Sequence, residues 1–512
     1  MGEVTTFQQL LALEAGIRGR LAKFPVDEIL LAIRDAGDRI VPFVAAGLAS
    51  FAVRSCGPPS GKVDSIAWRH LGPLVDAVAH YLLTDPIVFD EDAAQDLKQS
   101  SPSRVLLRIM GSQFPYHVNG FEAFARSLVL FEEIPQALKG QPGIPDFDFD
   151  ERLRAITGGL ALSDIVKFGF VGWALSHRPR GLTKHSLEEL RQRGLRLGTP
   201  AEMRLGFQLL SASPAEFREL HAQTGQSDSR FGMYEFNPLH RKPLIRPWGE
   251  EPFWSERGSR MIAPVPDLIA ARVSLGNYHQ MLTTYGFDFT QYFGHVFSEY
   301  CGYLLRGAGV GSLLSEDDIR RRYPSSKGRK APDWVIVDGS TAILVECKAT
   351  RFTRAAISTG AEQAVNDSLK QVLKGFKQLH LFREACKAGT PGLEALHHCT
   401  DFLPVVLTLE QLYGVNSSFF RDDIDALLRA DGVVGLPWRV VAMEELEYVE
   451  RHVRGGIPWT EALATIPSEE VIADYVARTG MKTNENACLF PKYLDLMDRL
   501  GVPDREGAVV PL

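Results

Sequence analysis

Residues Pro332 to Ala349 of the 512-residue chain read PDWVIVDGSTAILVECKA, and this stretch predicts a β-hairpin. The β-branched residues from Val335 to Val337 favour a strand. Asp338 and Gly339 form a dipeptide typical of two-residue hairpin turns, and the apolar run from Ala342 to Val345 favours a second strand. The stretch therefore indicates two antiparallel strands joined by a tight turn.

Two charged residues break the apolar pattern at the end of the second predicted strand. Side chains alternate between the two faces of a strand, so Glu346 and Lys348 share one face. Ile343, Val345 and Cys347 then point to the other face. An unpaired charge at a half-buried strand position costs on the order of several kcal/mol. We therefore expect the side chains of Glu346 and Lys348 to point into one cleft.

Pro332-Asp333 followed by Glu346-Cys347-Lys348 resembles the signature of the PD-(D/E)xK nuclease superfamily, and the resemblance covers roughly residues 287 to 447. Three other Pro-Asp pairs serve as internal controls, at Asp146, Asp267 and Asp504. None of these is followed by a turn and an apolar strand that ends in Glu-x-Lys. Only Asp333 has the sequence context that the signature requires.

The resemblance implies a metal-dependent phosphodiesterase. Asp333 and Glu346 are expected to be carboxylate ligands of Mg²⁺ or Mn²⁺, and the carbonyl oxygen of Cys347 is implied as a further ligand. Such a metal polarises the scissile phosphate and lowers the pKa of a bound water. Lys348 is expected to orient the attacking water and to stabilise the transition state.

A helix is predicted from Phe287 to Leu305, because its apolar residues fall on one stripe at about 100° per residue. Glu299 lies roughly 60° outside this stripe, so it is expected at the edge of a cleft. Members of the superfamily often carry a glutamate on the helix before the hairpin, and Glu299 matches that position. The alternative is a solvated glutamate with no role.

A second long helix is predicted from Thr359 to Ala388. Its polar side carries Lys370, Gln371, Lys374, Lys377 and Gln378. Many members of the superfamily place a glutamine on the helix after the Glu-x-Lys strand. Gln371 and Gln378 are one heptad apart and both match, so the sequence leaves the choice open.

Basic residues cluster around the hairpin although the chain as a whole is acidic. Nine lie between positions 320 and 354, against three acids. Lysine and arginine near a phosphate backbone provide the sequence-independent part of nucleic-acid binding. The predicted nucleic-acid-binding residues are Arg320, Arg321, Arg322, Lys327, Arg329, Lys330, Arg351, Arg354, Lys370 and Lys374.

Two further strands are predicted, from Pro404 to Leu409 and from Trp438 to Ala442. A further strand is predicted near Ser312 to Leu314, between the first helix and the hairpin. Together these strands complete an α-β-β-β-α-β-like order around a central mixed sheet, as the superfamily fold would require. The predicted fold class is an α+β multidomain protein, in which a mostly helical N-terminal region precedes a restriction-endonuclease-like α/β domain.

Helical periodicity and loop composition predict four segments. A helical domain spans 1–140, and a linker rich in Gly and Pro precedes a second helical block at 151–228. Short strands and turns begin after residue 228, and the nuclease-like domain is expected at 229–447. A C-terminal helical extension is predicted at 448–512.

The amino-acid composition and net charge indicate an ordinary globular protein. Apolar residues make up 45% and charged residues 23% of the chain, as in ordinary globular proteins. The net charge of −7 argues against a surface uniformly suited to nucleic acid. The six cysteines show no Cys-x-x-Cys pair, which favours a reducing cytoplasm. The longest apolar stretch, Ile40 to Val53, is too short to span a bilayer, so no membrane association is expected.

These observations favour a Mg²⁺-dependent endonuclease acting on DNA, in a restriction-like or phage-defence setting that the resemblance alone suggests. The helical N-terminal region is then a recognition, sensing or assembly module, either in a homodimer or with a partner protein. The alternative is a non-catalytic nucleic-acid-binding or scaffold protein that retains a nuclease-like fold. A third interpretation is an ion-pair network without a ligand. The sequence leaves open the form of the nucleic acid, its sequence and the activating trigger.

Overall fold

The structure is a computed structural model. It describes residues 6–61, 65–84, 102–116, 120–178, 181–224, 233–249, 255, 260–309, 311–323, 330–464 and 487–502. Helices dominate the chain, and strands are concentrated in its C-terminal half.

The described part of the N-terminal region consists mainly of helices, as its apolar periodicity predicts. In chain order they are α1 (Phe7–Leu21), α2 (Val26–Ala36), α3 (Pro42–Ser55), α4 (Trp68–Leu83), α5 (Pro102–Gln113), α6 (Gly120–Leu128), α7 (Ile134–Leu138), α8 (Phe149–Thr157), α9 (Leu162–Ser176), α10 (Lys184–Gln192), α11 (Pro200–Leu210), α12 (Pro214–Thr224) and α13 (Asp267–Val273). Two short parallel strands, β1 (Ser211–Ala212) and β2 (Leu244–Ile245), lie within this region.

A mixed five-stranded sheet forms the centre of the C-terminal half. Its strands follow chain order across the sheet: β3 (Ser312–Ser315), β4 (Trp334–Asp338), β5 (Thr341–Lys348), β6 (Asp401–Thr408) and β7 (Arg439–Ala442). The first three strands are antiparallel neighbours, whereas β5, β6 and β7 are parallel. The sheet is therefore antiparallel on one side of β5 and parallel on the other.

Helices of the C-terminal half lie between and beside these strands. They are α14 (Leu275–Gly307), α15 (Glu316–Arg320), α16 (Arg354–Thr359), α17 (Glu362–Lys387), α18 (Ser418–Ala430), α19 (Met443–Arg454), α20 (Trp459–Ala464) and α21 (Phe490–Leu500). With α14 first, the order of the long helices and the strands through β6 is α-β-β-β-α-β, as predicted.

The hairpin differs from the prediction by one residue at its turn. Asp338 still belongs to β4 and pairs with Thr341, so the two-residue loop is Gly339 and Ser340. Gly339 has a φ of 61°, a left-handed conformation that favours glycine. The side chain of Asp338 instead accepts hydrogen bonds from the backbone and hydroxyl of Thr460 at 3.1 and 3.2 Å. A tertiary contact to α20 therefore holds the last residue of the strand.

Both predicted helices around the hairpin form, and each is bounded by a glycine. The helix predicted from Phe287 is the second part of α14, which bends at Gly286, where φ is 52°. The helix predicted from Thr359 begins later, because Gly360 ends α16 in a left-handed conformation and α17 starts at Glu362. Positive φ values favour glycine, so these two positions set the helix boundaries.

The sheet is buried on both faces. Ile343 and Val345 of β5 belong to one hydrophobic cluster, which includes Phe297 of α14 and Leu446 of α19. Leu344 belongs to a second cluster, with residues of α17 and α18. A third cluster contains most of the buried residues of α1 to α4.

The first hydrophobic cluster contains residues from several of the segments predicted from the sequence. The first cluster contains Phe124 and Leu153 from the N-terminal helices together with Leu496 of α21. Residues from 123 to 502 therefore share one core. The N-terminal helices and the sheet are packed together on the α14 side.

No helix among the described residues is by itself long and apolar enough to cross a membrane. Helices α8 and α9, which are bent by 53° at the break between them, meet the criteria of length and composition as a pair. Most residues of α9 are buried in the protein core.

Candidate active site

The antiparallel pairing of β4 with β5 brings the predicted acids together. Trp334 is opposite Val345, so Asp333, which precedes β4, lies beside the end of β5. The Cys347 backbone N–H donates to Asp333 Oδ2 at 2.6 Å. This hydrogen bond orients the Asp333 carboxylate toward the face that carries Glu346 and Lys348.

Glu346 is the centre of a hydrogen-bonded network. It is only 3% exposed, and Lys348 Nζ donates to its Oε1 at 2.5 Å. Gln378 Nε2 donates to its Oε2 at 2.6 Å and to the Ala331 carbonyl at 3.0 Å. We call Asp333, Glu346, Lys348 and Gln378 the acidic site.

The structure distinguishes the two glutamines that the sequence left open. Gln378 contacts Glu346, whereas Gln371, two turns earlier on α17, is exposed. Gly375 lies between them and allows α17 to approach the sheet. A Cβ atom at Gly375 would lie 3.0 Å from Val406 Cγ2 and 3.5 Å from Glu346 Cγ.

Burial and charge repulsion dominate the electrostatics of the acidic site. Burial, and then the Asp333 charge, raise the pKa of Glu346 to about 8, while Lys348 partly offsets the shift. Burial also raises the pKa of Asp333, and the hydrogen bond from the Cys347 N–H opposes this rise. Two buried carboxylates so close together favour a bound cation or a shared proton.

Sequence reasoning missed Glu316, the first residue of α15. Its backbone N–H donates to the Asp333 carbonyl at 2.8 Å, and its carboxylate pairs with Arg320 at 2.5 Å. Burial, and then the charge of Asp333, raise the pKa of Glu316. Ser315 and Asp318 form a capping box, and that pattern was visible as a helix start. The proximity to Asp333 follows from the pairing of Ser315 with Trp334, which the sequence does not show.

Glu299 lies apart from the hydrogen bonds of the acidic site. Its carboxylate is 43% exposed and pairs with Arg306 at 3.3 Å. Arg306 in turn stacks over the Trp334 ring, 5.1 Å from its centroid. The expected role of Glu299 at the cleft therefore has no support from the contacts of the described residues.

The predicted basic surface divides into several groups. Arg320 at the end of α15 pairs with Glu316, and Arg321, which follows α15, pairs with Asp318. Arg322 and Lys330 are exposed. Lys327 and Arg329 lie outside the described residues.

Two lysines of α17 lie beside the acidic site. Lys370 and Lys374 are exposed, and Lys374 is four residues before Gln378 on the same side of the helix. They extend a positive surface from Gln378 along α17.

Arg351 and Arg354 lie in different surroundings from the rest of the predicted basic surface. Arg351 Nε is 3.9 Å from Glu410 Oε1. Arg354 donates to the Thr224 carbonyl at 3.2 Å and stacks over Phe236, 4.6 Å from the ring centroid. Both line a cavity between the sheet and the N-terminal helices.

The donor set of the acidic site fits a hard divalent cation held by few protein ligands. The described residues contain no group of three or more His, Cys, Asp or Glu side chains arranged to hold a metal ion. Mg²⁺ commonly uses one or two carboxylates and keeps several waters or substrate oxygens. The two mutually repelling carboxylates of Asp333 and Glu346 meet that smaller requirement.

Comparisons of the chain with protein-family models, with curated proteins and with solved structures found no significant match.

Proposed function

We propose that this protein is a metal-dependent nuclease that hydrolyses phosphodiester bonds of DNA, with a restriction-endonuclease-like domain around β3 to β7. The observation that carries the proposal is the buried Glu346 carboxylate, held between Lys348 at 2.5 Å and Gln378 at 2.6 Å. The nearby Asp333 and the α-β-β-β-α-β order support it. A buried carboxylate with a raised pKa in such a cluster is a typical feature of functional sites.

Asp333 and Glu346 would hold Mg²⁺ or Mn²⁺, with the Cys347 carbonyl as a proposed further ligand. When bound, the metal polarises the phosphate and lowers the pKa of a coordinated water. It also offsets the repulsion between the two carboxylates.

The side chains of the acidic site have separate roles. Glu346 holds the Lys348 ammonium in place, so Lys348 can orient the attacking water and stabilise the charge that develops on the phosphate. Gln378 is a positioning residue, because it fixes the second oxygen of Glu346. The Cys347 N–H fixes Asp333 in the same way.

Exposed cations beside the acidic site would contact the nucleic-acid backbone. Lys330 precedes the hairpin, and Lys370 and Lys374 lie on α17. Their contribution to binding is independent of sequence and weakens as salt rises.

Cleavage of supercoiled plasmid DNA with Mg²⁺ or Mn²⁺ tests the proposal. Lys348→Ala and Glu346→Ala should each lower the cleavage rate at least about 100-fold, since each removes preorganised charge. Lys387→Ala, at the far end of α17, is the matched control and should cleave at the wild-type rate. Cleavage by Lys348→Ala and Glu346→Ala at the wild-type rate would show that the activity lies elsewhere.

A second candidate is a nucleic-acid-binding protein without catalytic activity. The specific observation in its favour is that both oxygens of Glu346 already accept hydrogen bonds from within the chain. Arg320 and Arg321 are likewise paired with acids. Saturable binding of DNA without cleavage, with either metal and with both duplex and single-stranded substrates, would favour this second candidate.

A further inference from the structure

A large cavity lies between the N-terminal helices and one edge of the central sheet. Its volume is about 1050 Å³. Arg351 follows β5, Glu410 follows β6 and Glu444 follows β7, and all three line this cavity. It therefore opens at the carboxyl ends of the three parallel strands, where ligands commonly bind in sheets of this kind. Its volume is just above the usual range for small-molecule sites.

The cavity wall carries an excess of positive charge in an acidic protein. Eight arginine and lysine residues line it against four glutamates. The cations are Arg18, Arg54, Arg126, Arg241, Lys242, Arg272, Arg351 and Arg354, and the anions are Glu14, Glu235, Glu410 and Glu444. We call this space the cationic cavity.

Arg272 is buried without a carboxylate partner among the described residues. It is 5% exposed, and its guanidinium donates to the Arg241 carbonyl at 3.2 Å, to Asn277 Oδ1 at 3.0 Å and to Gln280 Oε1 at 2.5 Å. All three acceptors are neutral. Burial, and then the charge of Arg241, lower the pKa of Arg272 to about 10.

Lys242 has the same kind of environment. Its ammonium donates only to carbonyl oxygens in the part of the chain that the structure describes, those of Gln208 at 2.8 Å and Leu209 at 3.0 Å. Burial, and then the neighbouring Arg272, lower the pKa of Lys242 to about 8. Arg241 is exposed at the cavity and forms no ion pair with a described residue. A buried charge is costly unless it is paired, so an anion bound beside Lys242, Arg272 and the exposed Arg241 would offset this cost.

The cavity also offers aromatic surface and an unused hydroxyl group. The His240 ring packs against Tyr116 and Phe236, with ring centroids 4.7 and 5.8 Å apart. Ser274 lines the cavity, is 1% exposed, and its Oγ has no hydrogen-bond partner within the described structure. An aromatic wall suits a planar ring, and a free hydroxyl suits a polar group of a ligand.

We propose that the cationic cavity binds a nucleotide-sized phosphorylated small molecule, with its phosphates at Arg241, Lys242 and Arg272 and its ring system near Phe236 and His240. Arginine and lysine at this density match several phosphate oxygens at once. The volume suits one small molecule and not a duplex, so this site is distinct from the surface of α17 beside the acidic site.

Isothermal titration of the full chain with ATP, GTP and inorganic triphosphate tests the proposal. At least one nucleotide should bind saturably, and more tightly than inorganic triphosphate because the ring adds contacts. Arg241→Glu should weaken that binding at least about tenfold, since it replaces an exposed cation by an anion. Arg191→Glu, an exposed arginine on α10 outside the cavity, is the matched control and should bind as the wild type does.

Three outcomes would overturn the proposal. The first is that none of the three probes binds. The second is that ATP or GTP binds Arg241→Glu and the wild type equally well. If Arg241→Glu binds more weakly, an unaltered melting temperature excludes a folding defect as the cause. The third is that a single-stranded oligonucleotide displaces the bound nucleotide and binds more tightly, which would assign the cavity to nucleic acid. Binding is measured without cleavage, so the result is independent of the proposed nuclease activity.

Discussion

The acidic site and the cationic cavity both lie near the end of strand β5, but their buried charged groups have different kinds of partner. Lys348 at the end of β5 is paired with Glu346, which Gln378 also contacts. Arg272 and Lys242 at the cavity have only neutral partners among the described residues. Hydrogen bonds within the chain hold Lys348 and Glu346 in a fixed geometry, whereas these two cations of the cavity have no acidic partner of this kind among the described residues.

On the basis of this difference we propose different roles for the two regions. Fixed geometry is what catalysis requires, because preorganised charges need not rearrange during the reaction. Uncompensated charge is what anion binding requires, because the ligand removes an existing energetic cost. Arg351 lines the cavity only three residues after Lys348, so the two regions share one strand and the loop that follows it.

The largest expected effect concerns the pair of carboxylates. Mg²⁺ should raise the melting temperature of the wild type, because the ion binds the folded site and relieves the repulsion between Asp333 and Glu346. At a concentration about 100-fold above the dissociation constant, the gain in unfolding free energy is about 2.7 kcal/mol. Thermal denaturation followed by circular dichroism measures it.

Asp333→Asn should abolish this stabilisation by Mg²⁺. Asp317→Asn, an exposed acid on α15, is the control and should respond as the wild type does. An equal rise in melting temperature for both variants would mean that Mg²⁺ acts through another part of the surface.

A smaller effect should separate the two glutamines of α17. Gln378→Leu removes a hydrogen bond to Glu346, and loss of such a supporting contact typically lowers activity about tenfold to 100-fold. The decrease should appear in kcat with KM nearly unchanged, because Gln378 acts through Glu346. Steady-state cleavage of a labelled oligonucleotide measures both constants.

Gln371→Leu is the matched control, since the residue is exposed one heptad away on the same helix. It should keep the wild-type kcat. If the two variants have equal activity, Gln378 does not position Glu346 for the reaction.

The sequence predicted most of the local structure around the acidic site. Period-two alternation fixed which face carries Glu346, and apolar stripes located the helices on either side of the hairpin. The turn was displaced by one residue, because Asp338 forms a tertiary contact with Thr460 instead of entering the loop. The local sequence pattern therefore predicted the helices and strands, whereas a long-range contact determined where strand β4 ends.

Residue roles were harder to predict, because they depend on how elements pack. Gln371 and Gln378 have the same heptad position, and only the close approach of α17 at Gly375 brings Gln378 to Glu346. Glu299 was expected at the cleft from its angle on the helix, but it pairs with Arg306. The angular position of a residue on a helix predicts the direction of its side chain. It does not predict which residue of another element that side chain will contact.

The cationic cavity was not predictable from the sequence at all. Its wall combines residues from many segments of the chain, such as Arg54, Arg241 and Arg354. Arg354 was assigned to a nucleic-acid surface because it is close in sequence to Lys348, yet its contacts are with Thr224 and Phe236. Clusters made by tertiary packing leave no spacing pattern in the sequence.

The smallest expected effect is a pH dependence of nucleotide binding in the cationic cavity. The pKa of Lys242 is about 8, so its positive charge is lost as the pH rises from 7 to 9. The charged groups that act on it are Arg241, Arg246, Arg272 and Glu216, and arginines keep their charge in this range. A phosphate group with a second pKa of about 6 is mostly ionised at pH 7, so the ligand gains little compensating charge above that pH. The affinity for ATP should therefore fall about fivefold between pH 7 and pH 9, the difference between a charged and a neutral hydrogen bond.

Lys242→Met provides the comparison for this titration. At pH 7 this variant should bind ATP more weakly than the wild type does. At pH 9 the two affinities should be nearly equal, because the wild type has then lost the charge of Lys242. Calorimetry at both pH values measures the two affinities. A wild-type affinity that stays constant, or one that falls equally in Lys242→Met, would remove Lys242 from the phosphate site and leave Arg241 and Arg272 as its cations.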